Sequence, residues 1–158
     1  MQATSSTLIC TLGTQPQIVT FALDYLLAQG EIIHEVVVLY LSGASGREND
    51  AVRRLSAEFS GGLYRGAPCR LRTIPMQKDE VPLAAIHTAA DAEAVRGQVF
   101  TLIQQLKRVS MRPLHLSIAG GPRLLALMTL SAAQLYCGHQ DRVWHMFTEP
   151  DFLAQAKA

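Results

Sequence analysis

The chain has 158 residues, 49% of them hydrophobic and 17% charged, with 14 Lys and Arg against 13 Asp and Glu for a formal net charge of +1. This length supports one domain with a core that needs no disulfide or structural metal. The charge balance excludes a protein that coats long nucleic acid, which requires a basic surplus, but leaves room for a small basic pocket. The longest apolar stretch, Leu124 to Cys137, is interrupted by Thr129, Ser131 and Gln134 and falls short of the ~20 residues needed to cross a bilayer. Met1 to Thr7 is polar and uncharged and lacks the basic and apolar regions of a secretory signal. A cytoplasmic protein with no membrane span is expected.

The periodic segments alternate between strand and helix. Leu8 to Leu12, short and apolar and stopped by Gly13, predicts the first strand, and the β-branched run Glu35 to Leu41 predicts the second, both buried on two faces. Between them Pro16 opens a helix and Gly30 closes it, with Ile18, Val19, Ala22, Leu23, Leu26 and Leu27 at helical spacing. Arg47 to Phe59 predicts a more charged helix ended by Gly61 and Gly62, and Arg70 to Pro75 a weak strand. Met76 to Thr88 is the least regular segment and reads as a mobile loop, either a lid or plain surface. Asp91 to Val109 is the longest amphipathic helix. A strand over Pro113 to Ala119, an apolar helix over Arg123 to Tyr136 and a last strand over Arg142 to Phe147 complete the pattern. The alternation predicts a single α/β domain over residues 1–158, a mostly parallel sheet covered on both faces.

In such a sheet, ligands collect beyond the carboxyl ends of the strands, where the strand order reverses. Two connections of this kind stand out. The first, Thr11-Leu12-Gly13-Thr14-Gln15-Pro16-Gln17, supplies a turn glycine, a hydroxyl, two amides and a helix start. The second, Ser117-Ile118-Ala119-Gly120-Gly121-Pro122-Arg123, has two glycines that admit a close ligand and a cation in the first helical turn. Each helix start offers backbone N–H groups and the positive end of a dipole to an anion. Glycine and proline are also ordinary punctuation at such turns, and Thr14 alone would serve as a helix cap. Arg123 favours a ligand, since a cation at a helix N-terminus opposes the dipole unless an anion sits beside it.

Other chemistries find less support. Neither connection has the G-x-G-x-x-G of dinucleotide binding or the G-K-[ST] ending of a Walker loop. Cys10, Cys69 and Cys137 are odd in number, widely spaced and without a C-x-x-C pair, so they read as buried thiols, not as a zinc site, a disulfide framework or a nucleophile. The histidines form no metal motif, although His115 and His145 fall on consecutive predicted strands and an approach between them stays open. No metal and no cofactor is expected. The two most apolar helices begin at the two candidate turns, which suggests a subunit interface there and a composite two-fold pocket in a homodimer, the alternative being burial wholly within one chain.

Leu12-Gly13-Thr14-Gln15-Pro16-Gln17 with its helix, the Glu35 to Leu41 strand, and Leu116-Ser117-Ile118-Ala119-Gly120-Gly121-Pro122-Arg123 leading into an apolar helix together resemble the CARF domain, the CRISPR-associated Rossmann-like fold. The resemblance runs from about Thr7 to Glu149. It implies a Rossmann-like three-layer sandwich and a cytoplasmic homodimer that binds a cyclic oligoadenylate, the messenger of type III CRISPR defence, across its two-fold axis. Most CARF proteins carry an effector after this domain, and only Pro150 to Ala158 remain here, so the chain looks most like a stand-alone ring nuclease.

That resemblance implies metal-independent cleavage: a ribose 2′-hydroxyl attacks its neighbouring phosphate and leaves linear oligoadenylates with 2′,3′-cyclic phosphate ends. Carried onto this sequence, Thr14 would orient the ribose or phosphate. Arg123, in the place of a GGxK-like lysine, would hold a phosphate and stabilise developing charge. Gln15 and Gln17 would contact base or ribose, and Leu12, Gly13, Ala119, Gly120, Gly121 and Pro122 would line the ligand, with backbone N–H groups at the glycines toward phosphate. Arginine is no general acid at neutral pH, and Pro122 precedes it, so binding is implied more directly than cleavage. The alternatives are a CARF sensor that binds the ring intact and signals to a partner, and an unrelated Rossmann-like domain that takes one mononucleotide per monomer.

Overall fold

The computed structural model describes residues 4–146. In chain order the elements are β1 (Ser5–Leu12), α1 (Gln17–Ala28), β2 (Ile32–Tyr40), α2 (Arg47–Glu58), β3 (Leu63–Tyr64), β4 (Ala67–Pro68), β5 (Arg70–Pro75), β6 (Gln77–Lys78), β7 (Val81–Pro82), α3 (Ala89–Val109), β8 (Leu114–Ser117), α4 (Arg123–Tyr136) and β9 (Arg142–Trp144). Five of the strands form one parallel sheet in the order β5-β2-β1-β8-β9. The chain therefore steps outward from β1 to β2 and β5, then returns past β1 to build β8 and β9 on the other side. Helices cover both faces, giving a Rossmann-like sandwich.

The side-chain period of two divides the core between the two faces. Leu8, Cys10 and Leu12 of β1 and Val36, Val38 and Tyr40 of β2 pack under α1 and α2 with Val19, Leu23 and Leu55. Ile9 of β1 and Val37 and Leu39 of β2 pack on the opposite face against α3 and α4, through Val99, Ile103, Leu125 and Ala132. Each fully buried Leu or Ile contributes roughly 2 kcal/mol of transfer free energy. The central strands thus read as unbroken apolar runs because neither of their faces meets water.

The predicted helices and strands are found, with shifts at their ends. β1 and β2 begin earlier, at Ser5 and Ile32, in polar or half-exposed residues that apolarity does not mark. β8 is shorter than Pro113 to Ala119: it ends at Ser117, and Ile118 keeps one backbone bond, to the Trp144 carbonyl at 3.0 Å, before the chain reaches the glycine turn. The end of the last strand expected at Phe147 lies outside the described residues. The larger correction is Met76 to Thr88, which is tied down instead of irregular. β6 and β7 pair as a hairpin. The Gln98 side chain hydrogen-bonds the backbone of Gln77, and Ser42 binds the carbonyl of Leu83 through its N–H at 2.9 Å and its hydroxyl at 3.0 Å. Lys78 lies 3.2 Å from Asp91.

Asp91 also closes a capping box with Thr88 at the start of α3. The N–H of His87, then the Lys78 ammonium and the N–H of Thr88, outweigh the opposing effect of burial and hold its carboxyl down at about 2, from an ordinary 3.8. At the other edge of the sheet, Asp141 accepts from the N–H of Leu114 at 2.8 Å and of Gly138 at 2.7 Å and pairs with Lys107 at 3.0 Å. Burial opposes the charge of Asp141, yet these donors keep its pKa below the usual carboxylate range. This group joins the end of α3 to the starts of β8 and β9, opposite the carboxyl ends of the strands.

Two stability changes are expected. Asp141→Ala leaves a largely buried ammonium and two N–H groups unpaired and should destabilise the fold by about 3 kcal/mol, read as a lower urea midpoint at unchanged slope. Because the pKa of Asp91 is depressed in the folded state, its contribution is full above about pH 4 and is lost as the pH falls toward about 2. Asp91→Asn should accordingly melt below the wild type at neutral pH, and the gap should close across that acid window.

Candidate functional site

The strand order reverses at β1, and the cleft at its carboxyl end is built by two backbones in contact. Cys10 of β1 and Ser117 of β8 are register partners, so the two connections leave the sheet side by side. A Cβ placed on Gly13 would stand 3.3 Å from the backbone of Gly121. One on Gly120 would stand 2.5 Å from the Thr11 carbonyl oxygen, and one on Gly121 3.0 Å from that of Leu12. The buried Thr11 hydroxyl donates to the Gly120 carbonyl at 2.5 Å and locks the second turn onto the first. Gly121 also has φ of 78°, which only glycine adopts without strain.

The cleft beside these turns has a volume of about 600 Å³. Leu12, Gly13, Thr14 and Gln15 form one wall and Ala119, Gly120, Gly121 and Pro122 another. Leu41, Glu48 and Ala84 to Ile86 complete it from the β2–α2 connection and the β7–α3 connection. The helices that start here, α1 and α4, have no side-chain cap: their N-cap residues are Pro16 and Pro122. Thr14 therefore does not serve as a cap. In α1 the N–H groups of Ile18 and Val19 bond back to the carbonyls of Gln15 and Pro16 at 3.3 and 3.1 Å, whereas in α4 no such bond ties the N–H groups of Arg123 to Leu125 among the described residues. The start of α4 thus keeps free donors, and the dipoles of both helices favour an anion there.

The structure brings most of the predicted residues together and sets two apart. Gln17 faces a second cleft of about 510 Å³, which it shares with Thr14, Gln15, Arg47, Asp50 and Arg54, and its Oε1 is buried without a hydrogen-bond partner. Arg123 is exposed in the first turn of α4, outside the lining of the first cleft. His115 does not approach a metal site: its Nδ1 accepts from the Trp144 indole at 3.0 Å and its Nε2 lies 3.5 Å from Glu31. His87 is exposed and Lys78 is held by Asp91, so neither lines the cleft. Burial pushes the Cys10 thiol up to about 12 and those of Cys69 and Cys137 up to about 11, which keeps all three protonated and unreactive at neutral pH.

Sequence reasoning missed Glu48, Arg47 and Arg54. For Arg47 and Glu48 a signal existed, because the first turn of a helix after a parallel strand stands at the carboxyl edge of the sheet, next to the β1 turn; Arg54, further along α2, carried none. Filling the space between the turns should show how strictly they are packed. Gly120→Ala drives a methyl into the Thr11 carbonyl and is expected to destabilise the fold by roughly 1–3 kcal/mol. Gly66→Ala, where a Cβ meets nothing within 4 Å, carries only backbone strain and should cost less. Paired thermal melts check the order.

From Gln15 to near its end, over residues 15–157, the chain matches the family model described as CRISPR-associated protein NE0113 (Cas_NE0113). No curated protein matches it. The matched segment includes the second glycine turn, both helices that start at the cleft and the whole β2–α2 wall. The chain belongs to the CRISPR-associated NE0113 family.

Proposed function

We propose that the chain is a ring nuclease, which binds a cyclic oligoadenylate across a homodimer and opens the ring without metal to linear oligoadenylates with 2′,3′-cyclic phosphate ends. The observation that carries this reading is the cleft at the strand-order reversal, bounded by two packed glycine turns and two uncapped helix starts. Such a site offers backbone N–H groups and dipoles to phosphate while its apolar wall, Leu41 and Ala84 to Ile86, accepts sugar and base. Membership in a CRISPR-associated family supports the same reading.

Within it, Thr14 presents a hydroxyl at the mouth and Arg123 reaches a phosphate from the rim, where its planar fork suits two phosphate oxygens. The proposed dimer face lies on α4. Leu124, Leu127 and Leu135 are 39%, 53% and 67% exposed and recur at helical spacing on one side of the helix. Leu124 also lines the cleft, so a second copy seated on this stripe would bring its own cleft alongside.

One observation favours a second reading. Arg123 stands outside the cleft lining, which suits a receptor that holds the ring intact and passes the signal to a partner. Incubation with cyclic tetra- and hexa-adenylate in excess EDTA, with products identified by mass, separates the two. Linear products with cyclic phosphate ends are expected, and Arg123→Ala should open the ring about a hundred- to a thousandfold more slowly in single turnover. An intact ring co-eluting with a dimer would establish the receptor reading, and an unchanged rate in the variant would remove Arg123 from the reaction.

A further inference from the structure

Opening the ring requires a group that takes the proton of the attacking 2′-hydroxyl. Thr14 and Arg123 cannot accept it at neutral pH. Among the residues lining the cleft, Glu48 is the one titratable side chain. It stands in the first turn of α2, across the cleft from the second glycine turn, since β1 lies between β2 and β8 in the sheet.

The setting of Glu48 is built for a carboxylate. Gly43, at φ of 70°, carries no Cβ, and one placed there would stand 1.8 Å from Glu48 Oε2, so the carboxyl group lies in the space that this glycine leaves. Oε2 is out of contact with solvent and has no hydrogen-bond partner. Glu48 makes no ion pair among the described residues. A buried acceptor without a donor leaves a hydrogen bond unmade, at a cost that an entering hydroxyl relieves. The opposite wall, with its glycine turn and uncapped helix, suits the phosphate, so a nucleotide that spans the cleft turns its sugar toward Glu48.

We propose that Glu48 is the general base of ring opening, an inference that rests on the ring-nuclease reading above. The 2′-hydroxyl gives its proton to the Glu48 carboxylate as O2′ forms its bond to the adjacent phosphorus. The bond from phosphorus to O5′ breaks, the leaving oxygen takes a proton from solvent, and Glu48 returns its proton to solvent. The products are a 2′,3′-cyclic phosphate and a 5′-hydroxyl, with no metal, oxidant or further reactant consumed.

The test compares wild type, Glu48→Gln and Glu48→Asp as full chains in EDTA, with cyclic tetra- and hexa-adenylate. Single-turnover rates at neutral pH are read alongside ring affinity and melting temperature. Glu48→Gln keeps the shape and one acceptor but not the basicity, so its rate should fall about a hundred- to ten-thousandfold while ring affinity and melting temperature stay near wild type. Glu48→Asp, which keeps a carboxylate set back by one methylene, should fall between the two. If wild type opens the ring and Glu48→Gln does so equally fast, Glu48 is not the base. A rate loss matched by an equal loss of affinity makes it a binding residue and likewise overturns the inference. If wild type opens neither ring, it is the ring-nuclease reading that fails, and the assignment of a base falls with it.

Discussion

The site depends on two backbones that touch. The turn after β1 and the turn after β8 meet through Gly13, Gly120 and Gly121 because no Cβ separates them, and the Thr11 hydroxyl fixes the second turn by its carbonyl. Gly120 is a glycine for space, as its φ is not positive. Gly121 is one for both space and backbone conformation. Gly30 and Gly66 differ in kind: each has positive φ with open space around it, so there conformation alone explains the residue. Because β1 and β8 are hydrogen-bonded neighbours, the contact holds the starts of α1 and α4 on either side of one cleft. Anything that spread the turns would part the two helix dipoles and disperse the donors an anion needs.

Much of the fold was legible because its central strands are buried on both faces and its helices are long. The run Glu35 to Leu41 left few alternatives to an interior strand, and even the weak strand Arg70 to Pro75 ends where it was expected. The two small hairpins were not legible. Strands of two residues, Leu63–Tyr64 with Ala67–Pro68 and Gln77–Lys78 with Val81–Pro82, are too short to show a period of two, and each pair includes a proline. Their two-residue turns place Arg65 and Gly66, and Asp79 and Glu80, at positive φ. Asn-Gly or Asp-Gly usually announces such turns, and here arginine and an acidic pair take those places. Tertiary contacts compensate: Tyr64 and Arg65 bind Asp24 on α1, and Lys78 and Gln77 are held by α3.

The site divides the same way. Residues on one continuous turn could be read from spacing, so the predicted lining from Leu12 to Gln15 and from Ala119 to Pro122 is found around one cleft. Glu48 was signalled by topology alone: it opens the helix that follows β2, and the pairing of β2 with β1 brings that helix start to the cleft. Arg123 illustrates the opposite limit. Its place in the first turn of α4 followed from the sequence, but its direction relative to the cleft depends on how α4 packs over β8. Leu125, Met128 and Ala132 take the buried side of that helix, and the arginine is turned outward.

The distribution of charge follows from the same packing. The cleft holds a single ionisable side chain, a carboxylate, whereas Arg123 stands beyond its lining and Arg47 and Arg54 line the neighbouring cleft. A cation buried beside Glu48 would pair with it, and the two charges would satisfy each other. Kept apart, the carboxylate retains a free oxygen and the arginines keep their hydrogen-bonding forks for phosphate. On the proposed function this separates two tasks that a polyanionic ring imposes together. Binding is met by backbone N–H groups and exposed guanidinium groups, and proton transfer by a half-buried carboxylate on the cleft wall. The exposure of Arg123 fits it to a phosphate at the rim, where its fork stays free of any carboxylate partner among the described residues.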